Sequence, residues 1–117
     1  MIDDPVSTTP EATSGEPEQV LSLGPLSTGR WIVETNSQHL YDLDRGTYQR
    51  LPRPGRGSFA HDNAVVRLTR VERWPEIGKT SLIWFDDPER PQTREHWRQS
   101  TIINSITRVV EAKQTPA

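Results

Sequence analysis

The chain has 117 residues, the length of one ordinary domain. Hydrophobic residues make up 32% of it and charged residues 26%, so its apolar content is low for a globular protein but above that of a fully disordered one. The formal net charge is −2, and the absence of cysteine excludes a disulfide scaffold, a thiolate metal site and a cysteine nucleophile.

The N-terminal segment differs in composition from the rest of the chain. Residues 1–19 are rich in Pro, Ser and Thr and carry five acidic residues and no basic one. Such a segment buries too little apolar area to offset its ordering entropy, so we expect a disordered acidic tail. The segment has neither the basic nor the apolar region of a secretory signal, and no apolar run is long enough to span a bilayer. We therefore expect a cytoplasmic protein with a single small β domain over residues 20–117.

The clearest structural signal is an antiparallel meander. Side chains alternate in polarity over residues 30–35 and 39–43, which predicts two strands with distinct faces. Asp44-Arg45-Gly46 is typical of a three-residue hairpin loop in which Gly46 adopts the left-handed conformation. Residues 47–51 supply the third strand.

A long connection follows the meander. Residues 52–63 contain two prolines and two glycines, and a loop of this length is uncommon unless it is functional or disordered. Alternation then predicts a fourth strand over residues 64–71, and the apolar run 80–85 predicts a fifth. Residues 100–110 leave two interpretations open, because their β-branched residues favour a strand while their apolar residues also fall at helical spacing.

Five or six short strands without a long helix indicate an all-β protein. We predict a small antiparallel barrel or rolled sheet of the SH3-like or OB-like kind. A strand over residues 100–110 would then provide the partner that closes the sheet.

Three segments together resemble short uncharacterised proteins of actinobacteria and their phages. These segments are Trp31-Ile-Val-Glu-Thr-Asn-Ser37, then Tyr41-Asp-Leu-Asp44 with Tyr48-Gln-Arg50-Leu-Pro52, and finally Arg98-Gln-Ser100-Thr-Ile-Ile-Asn-Ser105-Ile106. The similarity covers about 35 residues and consists of strand and turn chemistry. It implies an all-β fold and supplies no activity.

The sequence lacks the common catalytic and metal-binding motifs. It has no G-x-S-x-G elbow, no phosphate-binding glycine loop and no H-E-x-x-H helix. Its histidines, His39, His61 and His96, are not spaced as metal ligands. We therefore predict a non-enzymatic protein without a cofactor, a metal or catalytic residues.

The arginines around the long loop indicate a binding surface. Residues 45–73 hold seven arginines against two acidic residues. Arginine and aromatic side chains are enriched at protein interfaces, and a loop on a rigid β scaffold presents them well. We predict that the loop over residues 50–63 binds a protein partner, and that the contacting residues are Arg50, Arg53, Arg56, Phe59, Arg67, Arg70 and Trp74. The alternative is nucleic acid, with the same arginines contacting phosphates, and an exposed edge strand would also permit a homo-oligomer.

Overall fold

The computed structural model describes residues 18–53 and 61–110, which form seven β-strands. All neighbouring strands are antiparallel, and they form one sheet in the order β6-β5-β4-β3-β2-β1-β7. The strands are β1 Arg30–Glu34, β2 Gln38–Asp42, β3 Thr47–Leu51, β4 Val66–Arg73, β5 Leu82–Asp86, β6 Glu95–Gln99 and β7 Ser105–Arg108.

The predicted meander is confirmed by β1, β2 and β3. In each of these strands every second residue is buried, so the period-2 pattern sorts the side chains between an inner and an outer face. Trp31, Val33, Tyr41 and Tyr48 occupy the inner face. The turn between β2 and β3 contains Gly46 at a φ of 71°, as the hairpin signal predicts.

The core lies where the inner faces of both halves of the sheet meet. The ring of Tyr48 on β3 lies 5.2 Å from that of Tyr41 and 6.2 Å from that of Phe85 on β5, measured between centroids. Rings at these distances pack with offset or edge contacts that stabilise the core. The buried apolar cluster is Leu23, Trp31, Val33, Tyr41, Tyr48, Val66, Ile83, Phe85, Ile103 and Ile106.

The second half of the sheet departs from the sequence prediction in two ways. The fourth and fifth strands each begin and end one or two residues later than predicted, and β4 contains two irregularities, between Leu68 and Arg70 and between Val71 and Arg73. Strand β6 was not predicted, because its sequence EHWRQ has one apolar residue and lies at the exposed edge of the sheet.

The predicted barrel is not closed within the described residues. Strands β6 and β7 form the two ends of the sheet and do not pair with each other. The C-terminal segment does form a strand over Ser105–Arg108, which pairs with β1. The described residues contain no helix with the length and hydropathy required to cross a bilayer.

Residues 18–23 cover the edge of the sheet that β7 forms. The main-chain N–H of Val20 donates to the carbonyl of Ile106 at 3.1 Å, and that of Arg108 donates to Glu18 at 2.8 Å. Ile77 then donates to the carbonyl of Leu21 at 2.9 Å. Glu18 and Gln19 therefore pair with β7, whereas residues 1–17 of the predicted acidic tail lie outside the described part of the chain.

Candidate functional site

The five predicted binding residues that the structure describes do not lie on one surface. Arg56 and Phe59 fall within residues 54–60, outside the described part of the chain. Arg50 lies on the inner face with an exposed fraction of 8%, forms an ion pair with Asp62 and donates to Ser37 Oγ at 2.9 Å. Its guanidinium therefore holds the fold together instead of facing a partner.

Three further predicted arginines are exposed but paired with acids. Arg53 Nη2 lies 3.3 Å from Glu34, and Arg67 Nη2 lies 2.7 Å from Asp86. Arg70 Nη2 lies 3.8 Å from a carboxylate on its own strand, that of Glu72. The last predicted residue, Trp74, is partly buried and packs against the core, so it does not form an exposed aromatic platform.

The outer face of β4, β5 and β6 carries a row of three side chains that the pairing register aligns. Arg70 lies opposite Trp84, and Trp84 lies opposite Trp97. The Arg70 guanidinium lies 4.6 Å above the Trp84 ring, and Trp84 Nε1 donates to Glu72 at 2.9 Å. Trp97 is 60% exposed. We call Arg70, Trp84 and Trp97 the tryptophan row.

The main-chain N–H and C=O groups of Trp97 point away from β5, toward the open side of the sheet edge. At the two ends of the β5–β6 ladder, Asp87 N donates to Arg94 O at 3.1 Å and Ser100 N donates to Ser81 O at 2.9 Å. Hydrogen-bonded pairs alternate along an antiparallel ladder, so every second residue between these positions directs its N–H and C=O away from β5. The residues with outward groups are Glu95, Trp97 and Gln99.

The two ends of the sheet differ in how their edges are covered. Residues 18–20 pair with β7, as described above. Among residues 18–53 and 61–110, no strand pairs with the outer edge of β6. Unpaired strand edges are templates for another strand, and many proteins protect them with charge, proline or a covering segment. Here the open edge carries a large aromatic side chain.

A buried polar network occupies the inner face beneath the long loop. His39 Nδ1 lies 2.7 Å from Tyr48 Oη, and His39 Nε2 lies 3.0 Å from Thr35 Oγ1. Burial, together with the nearby Arg50 and Arg98 cations, lowers the pKa of His39 to about 4. Burial raises the pKa of Tyr48. His39 is therefore neutral at physiological pH.

Asp62 connects this network to the end of the long loop. Its carboxylate pairs with Arg50 and lies 3.9 Å from Arg98 Nη1. The next turn is fixed to β3, because Asn63 N donates to Arg50 O at 2.8 Å and the Gln49 side chain donates to Asn63 O at 3.0 Å. These contacts fix the turn that follows His61 and so determine the direction of the His61 side chain.

A second cluster joins three residues from separate segments of the chain. The ligand atoms of His61, Asp87 and His96 all lie within 4.8 Å of one another. His96 Nε2 is 3.0 Å from Asp87 Oδ2, and this hydrogen bond, with those from the main chain of Glu89 and Arg90, lowers the pKa of Asp87 to about 2. We call these three residues the histidine–aspartate cluster. Sequence spacing did not reveal it, because its members lie after the loop, after β5 and within β6.

No known protein family matches the chain, and neither a curated protein nor a solved structure is detectably similar to it. The resemblance to actinobacterial and phage proteins therefore stays a prediction. Function has to be inferred from the arrangement of the side chains.

Proposed function

We propose that this protein is a non-enzymatic interaction module that binds an extended segment of a partner protein along the open edge of β6. The observation that carries the proposal is that Trp97 is 60% exposed on a strand whose outer edge is unpaired in the described residues. In this mode of recognition the main chain supplies hydrogen bonds, while side chains at alternate positions supply specificity.

The tryptophan row supports an apolar or aromatic side chain on the partner segment. A tryptophan side chain buries about 150–250 Å² in a complete contact. Covering the exposed 60% of Trp97, about 120 Å², would contribute about 3 kcal/mol of burial free energy at about 25 cal/mol per Å². Trp84 lies directly beside it and is fixed by its hydrogen bond to Glu72, so the contact surface is preorganised.

The charges on the same face favour protein over nucleic acid. The outer face of β4–β6 carries three arginines, and it also carries three acids, Glu72, Asp86 and Glu95. Arg67 and Arg70 both lie within ion-pair distance of one of these carboxylates. Phosphate binding would have to displace these pairs, and a face of balanced charge lacks the electrostatic attraction that dominates nucleic-acid affinity.

The first test is a selection of random peptides displayed on phage against the full chain, followed by titration of the labelled peptides that are enriched. Trp97→Ala removes the exposed aromatic side chain, and we expect the Kd to rise roughly thirtyfold, as for an interface hot spot. Leu26→Ala is the matched control, since Leu26 is 94% exposed and lies outside β6.

A second pair of variants tests the main-chain hydrogen bonds. Gln99→Pro removes an N–H that points away from β5, so the β5–β6 ladder is retained while strand addition is blocked. Gln99→Thr keeps that N–H and favours a strand, and it should bind like the wild type.

Three outcomes would contradict the proposal. One is that selection enriches no peptide, and another is that enriched peptides bind Trp97→Ala and Gln99→Pro as tightly as the wild type. The third is salt-sensitive binding of labelled oligonucleotides that is lost in Arg67→Glu, which would favour the nucleic-acid alternative. Sedimentation of the chain alone identifies a fourth case, in which a second copy occupies β6 and excludes the peptide.

A further inference from the structure

The histidine–aspartate cluster is a second candidate site, separate from the open edge of β6. We infer that His61, Asp87 and His96 bind a divalent transition-metal ion of the zinc class. The three ligand atoms converge within 4.8 Å although the residues come from three separate segments of the chain. Two imidazoles and one carboxylate form a donor set that zinc, copper, iron and nickel ions bind well.

The turn that contains His61 is fixed to the sheet. The residue has a φ of 69°, and its carbonyl accepts the N–H of Ala64 at 3.2 Å, which closes a tight turn. The side chain of the next residue, Asp62, is 4% exposed and paired with Arg50 on β3. These contacts fix the backbone at residue 61. The His61 ring then lies 6.3 Å from the Phe85 ring and 4.8 Å from the His96 ring, measured between centroids.

Asp87 and His96 are oriented equally well. Asp87 Oδ1 accepts the main-chain N–H groups of Glu89 and Arg90 at 2.8 Å and 3.1 Å. These bonds leave Oδ2 directed at His96 Nε2, 3.0 Å away. An Asp–His ion pair that closes the turn would explain these two residues alone. It does not explain why the third member, His61, converges on the same point.

The distances suit a metal after small side-chain rotations. Donors bound to one zinc ion at about 2.0–2.2 Å in a tetrahedral arrangement lie about 3.4 Å apart. The Asp87–His96 pair is already closer than this, so His61 makes the main adjustment. Three protein ligands leave a fourth position for water or for a ligand atom from outside. Asp87 is buried, whereas both histidines are partly exposed.

The test uses the full chain without a polyhistidine tag, stripped with a chelator and titrated calorimetrically with zinc chloride at about pH 7.5. We expect saturable binding of one ion per chain. His61→Asn and His96→Gln should each weaken binding by at least about tenfold. Asparagine tolerates the left-handed backbone at residue 61. His39→Gln is the matched control and should bind zinc as the wild type does.

A spectroscopic readout on the wild type avoids variants that fail to fold. On addition of zinc, the imidazole NMR signals of His61 and His96 should shift, whereas those of the buried His39 should not. Two results would overturn the inference. One is the absence of saturable zinc binding, and the other is binding that persists unchanged in the double variant of His61→Asn and His96→Gln.

Discussion

Acidification should destabilise this protein through one buried histidine. Between about pH 7.5 and about pH 4.5 the unfolded chain protonates His39, whose ordinary pKa is 6.5, while the folded chain resists because burial lowers the pKa to about 4. The unfolded state then binds more protons than the folded state. The free energy of unfolding therefore falls as the pH falls through this window, and the stabilisation is fully present only above about pH 6.5.

The size of the effect follows from the difference in pKa. One pKa unit corresponds to about 1.36 kcal/mol. Integrating over the window gives a loss of about 2.5 kcal/mol from His39. Asp87 does not add to this loss, because the stabilisation from its lowered pKa is retained throughout the window and is lost only as the pH falls below 3.8 toward about 2.

Urea unfolding followed by tryptophan fluorescence measures this loss. Unfolding curves are recorded across the window with a chelator present, so that pH-dependent metal binding does not contribute. His39→Gln removes the titrating group but retains hydrogen-bonding capacity toward Tyr48 and Thr35. The variant should lose about 2.5 kcal/mol less than the wild type on acidification. Equal losses in the two proteins would refute the assignment of the effect to His39.

Two further predictions concern stability at neutral pH and use the same urea assay. Asp62→Ala removes the carboxylate that pairs with the buried Arg50 and lies near the partly buried Arg98, and it should cost about 3 kcal/mol. Arg45→Met removes an 83% exposed arginine and should change the free energy of unfolding by less than about 0.5 kcal/mol, so equal effects would contradict the burial argument. Gly29→Ala should destabilise more than Gly46→Ala. Both glycines have a positive φ, and backbone strain alone should cost about 1 kcal/mol at residue 46. A Cβ at residue 29 would in addition meet the Arg108 guanidinium, which is held over the Trp31 ring and by Glu18. The order would be reversed if that side chain moved freely aside and residue 46 were the more strained.

Local alternation was sufficient to predict the first three strands, because each has a buried and a partly exposed face and a short turn beside it. The same alternation contained the signal that Arg50 points inward. It lies two residues after the buried Tyr48, on the same face of β3. Its charge suggested a surface position, but the partner that allows burial, Asp62, lies beyond a loop whose path the sequence does not specify.

The edge strand and the histidine–aspartate cluster depend on contacts that the local sequence pattern does not encode. Strand β6 has the composition of a loop, and it becomes a strand because β5 provides hydrogen-bonding partners along its whole length. That pairing brings His96 to Asp87, and the turn after the long loop adds His61. No spacing rule could predict a site that is assembled from three such segments.

The crossing of residues 18–23 over the end of the sheet has a consequence for the order of folding. Glu18 and Arg108 are joined by two hydrogen bonds although 90 residues separate them. Contacts between such distant residues form only after a large loop has closed, which slows folding relative to local hairpins. During synthesis the meander β1–β3 can form early, but this end of the sheet stays incomplete until β7 has left the ribosome. The native state is therefore completed by joining the first described residues of the chain to nearly the last.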